Sequence, residues 1–223
     1  MSHADYCKQF VPVGGTVLDV GAGRGKFLCA MAKLGFEAFG VEINPAYIKE
    51  AEAQAQADNL HLTLVEHQAE EIPFPDGKFD FINCAEVTEH VDDPDRMCRE
   101  IYRVLKPGGK CYISFHNRFG IYDYHYRLYL INWLPRSWTE TVLRWLGKQK
   151  PDGGIGRQKL TTMHYYTYRE VKKKLEQIGF IIKDIRAEKI KQKFGAGSAL
   201  VAIVYRFLRP FYFNTFHLLL EKK

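Results

Sequence analysis

Val17-Leu18-Asp19-Val20-Gly21-Ala22-Gly23-Arg24-Gly25 decides the fold. An apolar, β-branched run gives way to three alternating glycines and then to a helix-forming stretch over residues 26–34, which predicts a strand, a tight turn and a helix. Glycine at such a turn lets backbone approach a ligand at the carboxyl edge of a sheet. The spacing is D-x-G-x-G-x-G, not the G-x-G-x-x-G that seats a pyrophosphate, and no G-K-[ST] follows, which excludes a P-loop. Asp19, two residues ahead of Gly21, would repel a phosphate. A carboxylate there suits a positively charged ligand, so the loop favours an adenosyl-sulfonium cofactor over a dinucleotide.

Outward from this loop, short apolar runs alternate with helical patterns. Strands are expected at residues 16–20, 36–41, 60–65, 79–84 and 110–116, and helices at 26–34, 45–56 and 94–105. Pro45 and Pro94 fit first helical turns, and Lys106-Pro107-Gly108-Gly109 stops the third helix. After His116 the texture changes to Tyr, Trp and Arg, including Tyr122, Tyr124, Tyr126, Tyr129, Trp133, Trp138 and Trp145, which reads as an inserted helical aromatic lid over residues 117–162. A helix at 167–178 ended by Gly179, a strand at 180–185, an apolar helix near 199–208 and a final strand at 213–220 complete the pattern. Gly195-Ala196-Gly197 reads as a hinge before the last helix. The expected fold is α/β: a Rossmann-like, doubly wound, mostly parallel seven-stranded sheet in one domain over residues 1–223. Residues 1–116 form its cofactor half, 117–162 its lid and 163–223 a substrate-side part that completes the sheet.

Composition agrees with a globular chain. Of 223 residues, 46% are hydrophobic and 26% charged, which excludes disorder, and roughly 70% of the surface of a chain this long can be buried on folding. Five cysteines, odd in number and without C-x-x-C spacing, argue against a disulfide scaffold and for a reducing, cytoplasmic compartment. The N-terminal residues lack signal-peptide character, and the C-terminal apolar stretch is interrupted by Arg206, Arg209 and Pro210 before it could span a bilayer. The net charge of +6 is unevenly spread: residues 1–116 carry 18 acidic and 11 basic side chains, residues 117–223 carry 8 and 21. The basic half suits an anionic substrate, an anionic membrane surface or nucleic acid, or is simply a solvated face.

The glycine loop resembles the first motif of the class I S-adenosylmethionine-dependent methyltransferases, and further segments follow in that family's order. Glu42 ends the second strand and resembles the acid that holds both ribose hydroxyls, for which one carboxylate suffices. Gln68-Ala69-Glu70 followed by Ile72-Pro73-Phe74-Pro75-Asp76-Gly77 resembles the adenine-edge segment, although the family often has Asp where Gln68 stands. Phe79-Asp80 and Leu105-Lys106-Pro107-Gly108-Gly109 lead into the fourth and fifth strands as in the family. The resemblance implies S-adenosylmethionine as cofactor, held by Asp19, Gly21, Ala22, Gly23, Gly25, Glu42, Ile43, Gln68, Ala69, Glu70 and Ala85.

Beyond the fourth strand stands Glu86-Val87-Thr88-Glu89-His90. One helical turn here would place two carboxylates and an imidazole on one face, able to hold zinc, manganese or magnesium. The pattern resembles the O-methyltransferases of ubiquinone biosynthesis and the small-RNA 2′-O-methyltransferases. The second resemblance implies a divalent metal on Glu86, Glu89 and His90 with His164 as the later histidine. Without metal, His90 is the candidate general base, with His116 and His125 behind it.

The implied reaction is methyl transfer to a hydroxyl, with Glu86, Glu89 and His90 as catalytic candidates and a small or lipid-like molecule as acceptor. Tyr and Trp interleaved with Arg in residues 117–162 suit peripheral contact with a membrane through the lid, or stacking on unpaired bases. An RNA methyltransferase and a non-catalytic cofactor-binding module are the alternatives.

Overall fold

A computed structural model describes residues 2–150, 159–195 and 198–223. Residues 151–158 of the expected lid, and Ala196-Gly197 of the expected hinge, lie outside the described residues. The chain runs through α1 (His3–Cys7), β1 (Thr16–Val20), α2 (Lys26–Lys33), β2 (Glu37–Glu42), α3 (Pro45–Ala57), β3 (Leu62–Glu66), β4 (Phe79–Cys84), α4 (Pro94–Val104) and β5 (Leu105–His116). The insertion contributes a hairpin, β6 (Tyr122–Asp123) and β7 (Leu128–Tyr129), and α5 (Arg136–Trp145). It is followed by α6 (Tyr168–Ile178), β8 (Phe180–Asp184), α7 (Ile185–Phe194), α8 (Ser198–Tyr212) and β9 (Thr215–Lys222).

Seven strands join in the order β3-β2-β1-β4-β5-β9-β8, with β9 antiparallel to both neighbours and the other pairs parallel. From β1 the chain winds outward to β2 and β3, then returns to β4 on the other side. The order therefore reverses between β1 and β4, and the crevice at their carboxyl ends is where a doubly wound sheet binds its ligand.

Local chemistry accounts for the element ends. Asn44 and Asp93 cap α3 and α4 through their side chains, each followed by proline in the first turn, where a missing N–H loses no bond. Thr167 and Glu170 form a reciprocal capping box on α6, and Gly179 ends it in the left-handed region at φ 116°. Parallel strands are covered on both faces, so Val17, Leu18 and Val20 of β1 and Phe81 and Ile82 of β4 are buried in succession, and Leu18, Phe79, Ile82, Met97, Ile101 and Ile113 belong to the main core.

The fold class expected from the sequence holds, with local differences. Lys106-Pro107-Gly108-Gly109 does not stand apart as a stop, because α4 ends at Val104 and the segment runs into β5 with a shift in register. Helices α1 and α7 carry no strong periodic signal and were not anticipated. The last helix continues through Pro210 to Tyr212, two turns from where Arg206 and Arg209 begin to interrupt its apolar run. The insertion is only partly helical, and its Tyr126, Ile131, Leu143 and Leu160 form a small separate core together with Met163, which directly follows it.

Candidate active site

The glycine loop sits at the mouth of the crevice. Gly21 has φ 71°, and a Cβ there would meet Val87 Cγ2 at 2.5 Å, so both backbone conformation and space require glycine. Over Gly23 the space is open. Asp19 is buried at the β1 end, and Asn83 Nδ2, from the strand alongside, donates to its Oδ1 at 2.6 Å. Burial pushes the Asp19 carboxyl up to about 8 despite that bond. A cationic ligand would restore its charge.

Glu42 closes the next strand, its carboxylate accepting from Gly23 N at 2.7 Å and Asn44 N at 2.9 Å. Each oxygen keeps a lone pair for a further donor. Glu42 therefore fixes the glycine loop and can still receive ribose hydroxyls. Ile43 is exposed beside it, Gln68 is exposed and Ala69 half-buried. Glu70 turns elsewhere: its Oε1 accepts from the amides of Asp92 at 2.7 Å and Asp93 at 3.2 Å, which ties this segment to the loop after β4. A carboxylate for a cation, a carboxylate acceptor for a diol and the exposed Gln68 amide thus lie around an open loop, and the residues present fit S-adenosylmethionine.

The expected helical turn at Glu86–His90 does not form. Glu86 takes up a left-handed conformation at φ 57°, and a turn from Val87 O to His90 N follows it. The two carboxylates consequently converge on β5, and Glu89 alone stays beside His90, its Oε1 3.5 Å from His90 Nε2. Ser114 accepts from Glu86 N at 2.8 Å and donates to Glu86 Oε1 at 3.0 Å. His116 Nε2 donates to Glu86 Oε2 at 2.9 Å and lies 3.0 Å from Glu89 Oε1. One N–H serves one of these carboxylates, so the buried Glu89 Oε1 has no hydrogen-bond partner.

Two overlapping groups result, each with ligand atoms within 4.8 Å of one another: Glu86, Glu89 and His116, and Glu89, His90 and His125. His164 belongs to neither group among the described residues; its amide donates to Glu89 O at 3.1 Å and its ring stacks on Tyr166. The four residues expected from the sequence are thus not gathered in one group: Glu86 and Glu89 meet His116 of β5, while Glu89 and His90 meet His125 of the lid hairpin. Burial draws the His116 pKa down, but the facing carboxylates of Glu86 and Glu89 lift it to about 10. His125 moves the other way, lowered by burial and by the neighbouring His116. Tyr165 donates to Asp123 at 2.6 Å and lies 3.3 Å from His125 Nδ1, positioning that ring.

Residues 18–113 match the family model described as a methyltransferase domain. The ubiquinone biosynthesis O-methyltransferase of Coxiella burnetii is 31% identical over 171 residues, 72% of either chain. The chain belongs to the class I S-adenosylmethionine-dependent methyltransferases. Another relative of this methyltransferase, the ubiquinone biosynthesis O-methyltransferase of Psychrobacter arcticus, is 32% identical over 165 residues, which are 68% of this chain but only 63% of that protein. Solved structures agree on the methyltransferase fold. The YcgJ protein of Bacillus subtilis superposes with a TM-score of 0.62 at 18% identity, covering 99% of this chain and 98% of that one. Phosphoethanolamine N-methyltransferase 2 of Haemonchus contortus, in complex with S-adenosyl-L-methionine, gives 0.64 at 18% identity, covering 98% and 52%.

Asn83 and Ser114 went unnoticed in the sequence of this methyltransferase. Their signal was a polar residue near the carboxyl end of a strand, following the apolar runs Phe81-Ile82 and Cys111-Tyr112-Ile113.

Proposed function

We propose that this methyltransferase methylates a hydroxyl group on a lipophilic small molecule. The observation that carries the reading is the convergence of Glu86, Glu89, His116 and His125 beside the glycine loop, because a hydroxyl must lose its proton to attack, whereas an amine need not. S-adenosylmethionine supplies an electrophilic methyl on a sulfonium. Asp19 and Glu42, fixed by Asn83 and Gly23, would hold that cofactor, and Glu86, Glu89 and His125 would line the side on which the acceptor hydroxyl enters. With the cofactor bound, its methyl would pass to the acceptor oxygen and leave a neutral thioether, and His125 would take up the hydroxyl proton. That imidazole is held neutral near pH 7 by burial and by the His116 charge, so it is free to accept a proton.

The same cluster fits a divalent cation. Glu89 Oε1, which accepts no hydrogen bond, faces His116 Nε2 and Glu86 Oε2, and once His116 gives up its proton this oxygen and nitrogen donor set suits zinc, manganese or magnesium. Such an ion supplies Lewis acidity towards an acceptor hydroxyl. Elemental analysis of purified protein is expected to find the metal, and a chelator to slow turnover; no metal and no effect of chelator would remove this part of the reading.

Substitution tests the base. His125→Gln is expected to lower kcat by about 10²–10⁴ with cofactor binding unchanged. The same loss on His90→Gln with His125→Gln active would transfer the role to His90, and full activity in both would overturn hydroxyl activation by an imidazole.

A further inference from the structure

Helix α8 carries its apolar side outward. Leu200, Ile203, Val204, Phe207, Leu208 and Phe211 recur at helical spacing, all are exposed, and Phe207 and Leu200 are exposed by 76% and 72%. A surface helix ordinarily turns such a stripe to the core. Here the opposite side is anchored by polar groups. Tyr205 is buried and donates to Asp184 Oδ2 at 2.7 Å, while Arg209 pairs with the same carboxylate at 3.1 Å and lies over the Tyr168 ring.

The far end of α8 is pinned next to the active site. Asn117, which directly follows His116, donates through Nδ2 to Pro210 O at 3.1 Å and Phe213 O at 2.7 Å. Phe211 packs against Trp133 of the insertion with ring centroids 5.9 Å apart. The stripe on α8 is therefore continuous with the half-exposed aromatic surface of the lid.

Charge identifies what this face meets. Arg206 is exposed on α8 itself, next to Phe207, and Lys191 and Lys193 are exposed on α7, the helix that packs against α8, within a half of the chain that has 21 basic and 8 acidic residues. An apolar stripe rimmed by cations matches the boundary between acyl chains and anionic headgroups. The 15 residues of α8 extend about 22 Å, short of the ~30 Å hydrocarbon core, and no helix among the described residues is long and apolar enough to cross a membrane. A helix of this kind lies in the plane of the surface.

We propose that α8, together with Trp133, docks the protein on the surface of an anionic lipid bilayer, placing the active-site mouth where a lipophilic acceptor resides. The proposal deepens the reading of a lipophilic acceptor, but its test uses no turnover, so either can fail alone. Intact protein is sedimented with vesicles of phosphatidylcholine, with and without phosphatidylglycerol. It is expected to partition onto the mixed vesicles, to be released by salt, and to have its tryptophan fluorescence quenched when the acyl chains are brominated. Ile203→Glu and Phe207→Glu are each expected to weaken partitioning at least about tenfold while cofactor binding is retained. Protein that stays in the supernatant with mixed vesicles, or variants that partition as the parent does, would overturn the proposal. So would a stable dimer in sedimentation that Phe207→Glu splits, which would assign the face to a second copy.

Discussion

His116 Nε2 stands 3.0 Å from Glu89 Oε1, with both side chains buried. The imidazolium is the nearest countercharge to that carboxylate in the metal-free protein. Removing one partner leaves the other buried and uncompensated, so His116→Ala is expected to destabilise the metal-free protein by about 3–5 kcal/mol in urea denaturation. Pairing it with Glu89→Gln is expected to restore part of the loss, giving a coupling of about 1–3 kcal/mol. The folded-state pKa is raised from 6.5 to about 10, so this stabilisation is complete below pH 6.5 and fades as pH rises through about 10. A stability profile that is flat between those values would contradict the pairing.

Asp19 reports on the cofactor pocket through pH. Its folded-state pKa is raised from 3.8 to about 8, so its effect on stability is felt as pH climbs above 3.8 and levels off beyond about 8, where the charge is buried in the free protein. Asp19→Asn keeps the acceptor for Asn83 and removes the charge. It is expected to stabilise the free protein at pH 8 by about 1–3 kcal/mol and to abolish detectable cofactor binding in calorimetry. Loss of stability at that pH, or binding as in the parent, would count against the assignment.

For Glu42 the change that bears on the ribose site is in binding. Glu42→Gln retains one acceptor oxygen but turns an amide towards Gly23 N or Asn44 N, and should weaken S-adenosylhomocysteine by about 1.5–3 kcal/mol. Titration calorimetry reads this directly, and an unchanged Kd would remove Glu42 from the ribose site.

Gly21→Ala combines two penalties, a left-handed φ and a Cβ 2.5 Å from Val87 Cγ2. A loss of about 1–3 kcal/mol in stability is expected. Val87→Ala in the same chain should recover the contact part only, leaving the backbone part behind.

The cofactor half was legible because its signals are local. Gly21, Pro45, Pro94 and Gly179 each impose a backbone conformation that a reader can infer from residue type. The acceptor side was not, because its geometry is made by distant segments. Glu86 adopts a left-handed turn without being glycine, and His116 and His125 arrive from a strand end and a hairpin, 30 and 39 residues downstream of it in sequence. The apolar run at 199–208 likewise announced a helix without saying which way its apolar side faces. That depends on Asp184, Tyr205 and Arg209, whose pairing holds the polar side inward.

Transfer of a labelled methyl group from S-adenosylmethionine into a cell extract, separated afterwards into lipid, small-molecule, RNA and protein fractions, tests the central claim most directly. The label is expected in the lipid or small-molecule fraction, on oxygen, and to be lost with Glu86→Gln and with His125→Gln. Label in RNA or protein, or cofactor binding with no label in any fraction, would contradict it.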